Sequence, residues 1–205
     1  MIKIKHIDTS KIFQFDSTQI GCDYFSNRFN DYAQKQNKLN VYCEYVLLKT
    51  LLKSINIDLD KQTIITSKQG KPFFKNLNIF FSISHSKNLV VVAISNSPIG
   101  IDIQAISNAS LNTNLNIAQR HFSQQELTAI QNSKRPNIEF TKYWAKYESL
   151  LKLYGSRQTM LANKNMQNKK TQSKMKVVKD FSGTKYYLCF STSKHFSLDN
   201  TSASC

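Results

Sequence analysis

Glycine and proline are scarce in this 205-residue chain, with 5 and 3 respectively, which argues against long structureless linkers. Acidic residues are also few. Asp and Glu total 13 against 28 Lys and Arg, a formal net charge of +15. Such a surplus implies an anionic partner: nucleic acid, an anionic membrane surface, a phosphorylated ligand or an acidic protein. The chain lacks the RNP-type aromatic pair, the GXXG loop and the zinc-finger spacing that would favour nucleic acid. Its cysteines, Cys22, Cys43, Cys189 and Cys205, form no C-x-x-C pair and have no His at metal-ligand spacing, so they read as free thiols in a reducing compartment. No run approaches the roughly 20 apolar residues of a membrane span. The first residues, Met1–His6, alternate like a strand and carry no apolar signal-peptide core. The expected location is the cytoplasm, with no membrane partner.

What is present suits a globular protein: 40% hydrophobic residues over 205 positions are enough to bury a substantial core. Residues 2–7 predict a short strand, and 39–54 a helix whose Val41, Tyr45, Leu48 and Leu52 form a core-facing stripe. Gly70-Lys71-Pro72 predicts a turn. Three strands follow, over 79–84, 89–94 and 99–104, read together as a meander. The second is apolar on both faces and therefore central. The third puts Ile99, Ile101 and Ile103 on one face and Gly100, Asp102 and Gln104 on the other.

Residues 107–117 are polar and Asn-rich, and read as a connection between halves. Ser123-Gln124-Gln125-Glu126 is a capping box. The spacing of Phe140, Trp144, Tyr147, Leu151 and Tyr154 predicts an amphipathic helix over 137–154, stopped by Gly155. Residues 163–176 read as a mobile Lys-rich loop, 175–181 and 185–191 as a hairpin around Ser182-Gly183, and the tail after about 192 as poorly ordered.

Taken singly, the polar residues of these elements have ordinary explanations. Most carboxylates on amphipathic elements are solvated, Glu148 and Lys152 could be a simple i,i+4 ion pair, and His85 a turn residue. The set is more specific. Gly70-Lys71-Pro72, Ser84-His85-Ser86, Gly100-Ile101-Asp102, Phe122-Ser123-x-x-Glu126 and Trp144-x-x-x-Glu148-x-x-x-Lys152 occur in that order. In this order they resemble the signature of the 4'-phosphopantetheinyl transferases, in particular the longer single-chain, surfactin-synthetase-activating type that serves peptide, polyketide and fatty-acid carrier proteins.

The resemblance implies an α+β fold of two pseudo-symmetric halves, 1–106 and 107–205, each an antiparallel sheet packed on helices, with a ligand cleft between them. It implies transfer of the phosphopantetheine arm of coenzyme A to a serine of an acidic acyl or peptidyl carrier protein, by a monomeric enzyme that uses Mg²⁺ or Mn²⁺. Asp102, Gln104 and Glu148 would hold the metal, Glu148 would take the serine proton, and Lys152 would neutralise phosphate charge. Lys71 and Pro72 would line the nucleotide, and Ser84 and His85 would hold its 3'-phosphate. Trp144 would pack in the core.

The chain departs from the family at three further places beyond the amide of Gln104. Tyr147 stands where a Lys is usual, Gly155-Ser156-Arg157-Gln158 replaces a Gly-x-Gly-Leu, and no Arg lies near residue 40. Two other readings are open: a divergent homologue that binds coenzyme A or a carrier protein without transfer, and a basic nucleic-acid-binding protein.

Overall fold

Every side chain of β5 (Leu89–Ser95) is buried, as its apolar run predicts. The strand works in two directions. Val90, Val92 and Ile94 join one core, and Leu89, Val91 and Ala93 another. Around it the structure, a computed structural model, describes residues 1–12, 14–157, 160 and 171–193. In chain order the elements are β1 (Ile2–Asp8), α1 (Asp23–Asp31), α2 (Lys35–Lys53), β2 (Ile64–Thr66), β3 (Pro72–Phe74), β4 (Phe80–Ser86), β5, β6 (Ile99–Ala105), α3 (Leu111–His121), α4 (Gln124–Gln131), α5 (Pro136–Tyr154), β7 (Gln172–Lys179) and β8 (Lys185–Thr192). The class is α+β, with antiparallel sheets packed on helices. No described helix is long and apolar enough to cross a membrane.

One sheet has the order β1-β5-β4, a second β6-β8-β7, and β2 and β3 form a small ribbon. On one side of the first sheet, α1 and α2 cover Val90, Val92 and Ile94 with Phe25, Tyr45, Leu48 and Leu52. On its other side, Leu89, Val91 and Ala93 meet Ile99, Ile101 and Ile103 of β6 and Tyr186, Leu188 and Phe190 of β8. The alternation read in residues 99–104 is therefore real, and its apolar face closes the core between the two sheets.

The expected meander is not formed. β6 leaves β4 and β5 and pairs antiparallel with β8, Asp102 opposite Cys189. The reason lies in the serines of β4. The amides of Ile101, Ile103 and Ala105 donate to the hydroxyls of Ser82, Ser84 and Ser86 at 3.0, 3.3 and 3.0 Å. Side chains thus take the place of a backbone ladder where the two sheets meet, and they satisfy amides that would otherwise be buried without partners.

Two further expectations are corrected. Residues 107–117 are no mere connection, since Ser110 caps α3 by accepting from the Thr113 amide at 3.2 Å. Of the expected loop 163–176, residues 172–176 belong to β7, paired with β8; residues 163–170 lie outside those described, as does the tail from 194. The helix expected over 39–54 begins earlier, at Lys35, and two helix-end signals hold. The capping box at Ser123 and Glu126 is present, and Gly155, at φ 80°, stops α5 in the left-handed conformation that glycine favours.

Candidate active site

The position of α5 is set by the absence of a side chain. A Cβ on Gly100 would stand 2.0 Å from the carbonyl oxygen of Ser149 and 2.4 Å from the amide nitrogen of Leu153. Only glycine allows the helix backbone to lie that close to β6. Small residues continue the contact: the Ser149 hydroxyl is 2.7 Å from that of Ser191 on β8. Asp102, two residues beyond Gly100 and on the same strand face, is thereby brought against the helix stripe that carries Glu148 and Lys152.

Asp102 is 2% exposed and both of its carboxylate oxygens accept hydrogen bonds. Oδ1 accepts from Lys152 Nζ at 2.8 Å and from the Ser84 hydroxyl at 2.8 Å. Oδ2 accepts from Gln104 Nε2 at 2.9 Å. Glu148, half-buried, has no hydrogen bond or ion pair among the described residues. Burial, and then the negative charge of Asp102, raise its pKa above the ordinary value, while Lys152 opposes the shift.

All eight residues singled out from sequence, Lys71, Pro72, Ser84, His85, Asp102, Gln104, Glu148 and Lys152, line one pocket of about 590 Å³. They do not all face it in the manner expected. Lys71 commits its ammonium to the main chain, donating to the carbonyls of Ile99 at 3.2 Å and Leu153 at 3.3 Å. The second of these is at the electronegative C-terminal end of α5. Burial lowers the pKa of Lys71 to about 8. Tyr147, at the position where the family has Lys, turns away to α3 and places its hydroxyl 3.0 Å from His121 Nδ1. Trp144 packs as expected, stacked between Phe140 and Tyr147 with centroids 6.0 and 5.5 Å away.

Three lining residues were not legible in the sequence: Tyr24 and Arg28 of α1 and Glu44 of α2. Arg28 donates to Glu44 at 2.5 Å, and the Glu44 side chain is only 2% exposed. The pair brings a cation to the pocket from a helix with no recognisable motif. A charged residue inside the predicted core helix 39–54 is the one local hint that a buried partner exists.

The donor set accords with Mg²⁺. That ion takes oxygen ligands and commonly uses one or two carboxylates together with waters and substrate phosphates. Asp102 and Glu148 supply two carboxylates, and Gln104, which spends its Nε2 on Asp102, keeps its carbonyl oxygen as a donor. No third His, Cys, Asp or Glu joins them among the described residues. A cation held by these residues would relieve the upward push that Asp102 exerts on Glu148.

Residues 98–201 match the sequence model of the 4'-phosphopantetheinyl transferase superfamily. The chain belongs to that superfamily. Among curated relatives it is 36% identical over 115 residues to 4'-phosphopantetheinyl transferase gsp of Aneurinibacillus migulanus, covering 55% of this chain and 46% of the relative. It is 35% identical over 115 residues to 4'-phosphopantetheinyl transferase Sfp of Bacillus subtilis strain 168, covering 54% and 49%. The ffp protein of Bacillus subtilis, of the same name class, is 35% identical over 115 residues, covering 54% and 49%. The chain spans about half the length of the curated relatives it matches. The superfamily match contains the lining residues Asp102, Gln104, Glu148, Leu151, Lys152 and Gly155; the other lining residues, from Tyr24 to His85, precede it.

Proposed function

We propose that the chain transfers the 4'-phosphopantetheine arm of coenzyme A to a serine of an apo acyl or peptidyl carrier protein and releases 3',5'-ADP. One observation carries the reading: Asp102, held at 2.8 Å by Lys152 and set beside an unpaired Glu148, lines a pocket in a chain of this superfamily. Glu148 takes the proton from the carrier serine, directly or through water, its raised pKa making it a better base than a free carboxylate. The serine oxygen forms a bond to the phosphorus that bears pantetheine, and the bond from that phosphorus to the ADP oxygen breaks. Lys152 neutralises charge on the departing phosphate. Catalysis of this kind is mainly positioning and charge stabilisation.

Asp102, Glu148 and the Gln104 carbonyl would hold Mg²⁺ or Mn²⁺. When bound, the ion would neutralise pyrophosphate charge. His85, exposed at the pocket, and the Gly70–Pro72 turn would face the nucleotide, with Ser84 beneath them. The pocket draws its walls from both sides of residue 106. That supports coenzyme A lying in a cleft between an N-terminal half, 1–106, and a C-terminal half, 107–205, related by pseudo-symmetry. The charge of +15 suits an acidic carrier protein as partner. We place the protein in the cytoplasm as a monomer.

Incubation of an apo carrier protein with this chain, Mg²⁺ and coenzyme A, followed by mass spectrometry, tests the reading. The expected result is a carrier heavier by one phosphopantetheine; an unmodified carrier alongside a functional control enzyme would reject it. The Gln104 amide, committed to Asp102 at 2.9 Å, favours one second reading: a homologue that binds coenzyme A without transfer. In that case coenzyme A raises the melting temperature but no 3',5'-ADP appears.

A further inference from the structure

Ser84 differs from its neighbours in the row of serines along β4. Ser82, Ser84 and Ser86 each accept one amide of β6. Only Ser84 also donates its hydroxyl hydrogen to a carboxylate, Asp102 Oδ1, at 2.8 Å. Ser84 is 5% exposed and Asp102 2%. A serine hydroxyl has one hydrogen to give. A nucleotide phosphate offers only acceptors at the pH of the reaction, so it could bind Ser84 only if that hydrogen left a buried carboxylate, and such a carboxylate deprived of a donor is costly.

We propose, on the reading that the pocket is a phosphopantetheinyl transferase site, that Ser84 is a positioning residue acting through Asp102 and that its hydroxyl does not hold the 3'-phosphate. Asp102 Oδ1 receives two donors from different parts of the chain, Ser84 on β4 and Lys152 on α5, both at 2.8 Å. Two donors from divergent directions fix the rotation of the carboxylate, which a single flexible lysine does not. Oδ2 is thereby kept toward Gln104. Ser84 also ties the strand that carries Asp102, through the Ile103 amide at 3.3 Å. The same hydroxyl therefore sets both the backbone and the side chain of the proposed metal ligand. His85, the next residue, is left as the β4 side chain that meets the phosphate.

The test compares wild type, Ser84→Ala and Ser84→Thr with coenzyme A and with 3'-dephospho-coenzyme A, and measures Mn²⁺ binding to each protein by electron paramagnetic resonance. Ser84→Ala is expected to lower turnover about tenfold, and by the same factor with both substrates, since the loss is that of a hydrogen bond to a charged group. Its Mn²⁺ affinity falls, and Ser84→Thr, which keeps the hydroxyl, recovers both. Ser84→Cys, nearly the same in size but a weak donor, takes the place of Ser84→Ala should the latter not fold. A penalty seen with coenzyme A and absent with the dephospho form makes Ser84 a phosphate ligand and overturns the proposal. So does a lowered melting temperature with unchanged turnover and Mn²⁺ affinity. If the wild type modifies no carrier protein, the functional reading has failed, and Mn²⁺ binding alone decides for Ser84: weaker binding in the variant sustains its role, while equal binding, or none in the wild type, ends it.

Discussion

Gly100 and Ser149 meet backbone to backbone, and no side chain can be added between them: a Cβ on Gly100 would lie 2.0 Å from the Ser149 carbonyl oxygen. Neither partner at this contact is a flexible side-chain end, so the helix itself must move. Gly100→Ala is expected to cost about 2 kcal/mol or more, as overpacking of a rigid site does, and to separate Asp102 from Lys152. Chemical denaturation gives the first quantity. The second appears as a loss of transfer larger than the loss of folded protein explains.

Glu148→Gln removes a base without changing shape. Transfer should fall by about a hundredfold or more, the range typical for a general base, while coenzyme A binding stays measurable by calorimetry. Near wild-type turnover would take Glu148 out of the mechanism.

Gln104→Glu restores the acidic residue usual in the family. It also removes the amide that donates to Asp102 Oδ2 and sets a carboxylate in its place. If this face binds Mg²⁺, the concentration giving half-maximal activity falls while turnover at saturating metal hardly changes. Without a cation there, two carboxylates repel, and the variant is less stable than wild type in metal-free buffer. An activity titration and a melt in chelator read the two effects separately.

Lys71 makes stability depend on alkaline pH. Burial holds its folded-state value at about 8, below the ordinary 10.5. Between those values the unfolded chain binds more protons, so this group makes stability rise with pH across that window, and its cost is fully present below pH 8. Lys71→Met should flatten the melting temperature between pH 8 and 10.5 relative to wild type. A profile of the same shape in both proteins would mean that the two carbonyls facing the ammonium compensate its burial fully.

The Arg28–Glu44 pair predicts an asymmetry. Glu44 is nearly inaccessible, so Arg28→Ala leaves a buried charge unpaired and should cost about 3 kcal/mol or more. Glu44→Leu combined with Arg28→Met should cost less than Arg28→Ala alone, because no uncompensated charge remains. Urea denaturation of the three proteins provides the comparison.

Much of this architecture was legible where local periodicity governs it. Ile99, Ile101 and Ile103 announced both strand and buried face, and Ser123 with Glu126 announced a helix start. What stayed hidden depends on distant partners. Nothing near β6 says that it pairs with β8 rather than β5, and the serines that replace a backbone ladder resemble any polar strand positions. α3 escaped because its buried face includes Asn114, 1% exposed, satisfied by Ser107 and Asn137 at 3.0 Å each. A buried amide with partners elsewhere breaks an apolar pattern without breaking the helix. For the site, the eight residues singled out as ligands or contacts all arrived in one pocket, yet the sequence could not show that Lys71 is committed to backbone carbonyls or that Arg28 reaches the pocket from α1.

The pairing of β6 with β8 also governs the order in which the site can assemble. The sheet β1-β5-β4 is complete by Ser95, whereas the strand bearing Asp102 acquires its neighbour only when Lys185–Thr192 is in place. Closing so long a loop is entropically slow. During synthesis the first sheet can therefore fold while the carboxylate that α5 must meet still sits on an unpaired strand. A chain halted before Lys185 would contain Asp102, Glu148 and Lys152 and still lack the strand beside β6 that keeps them together.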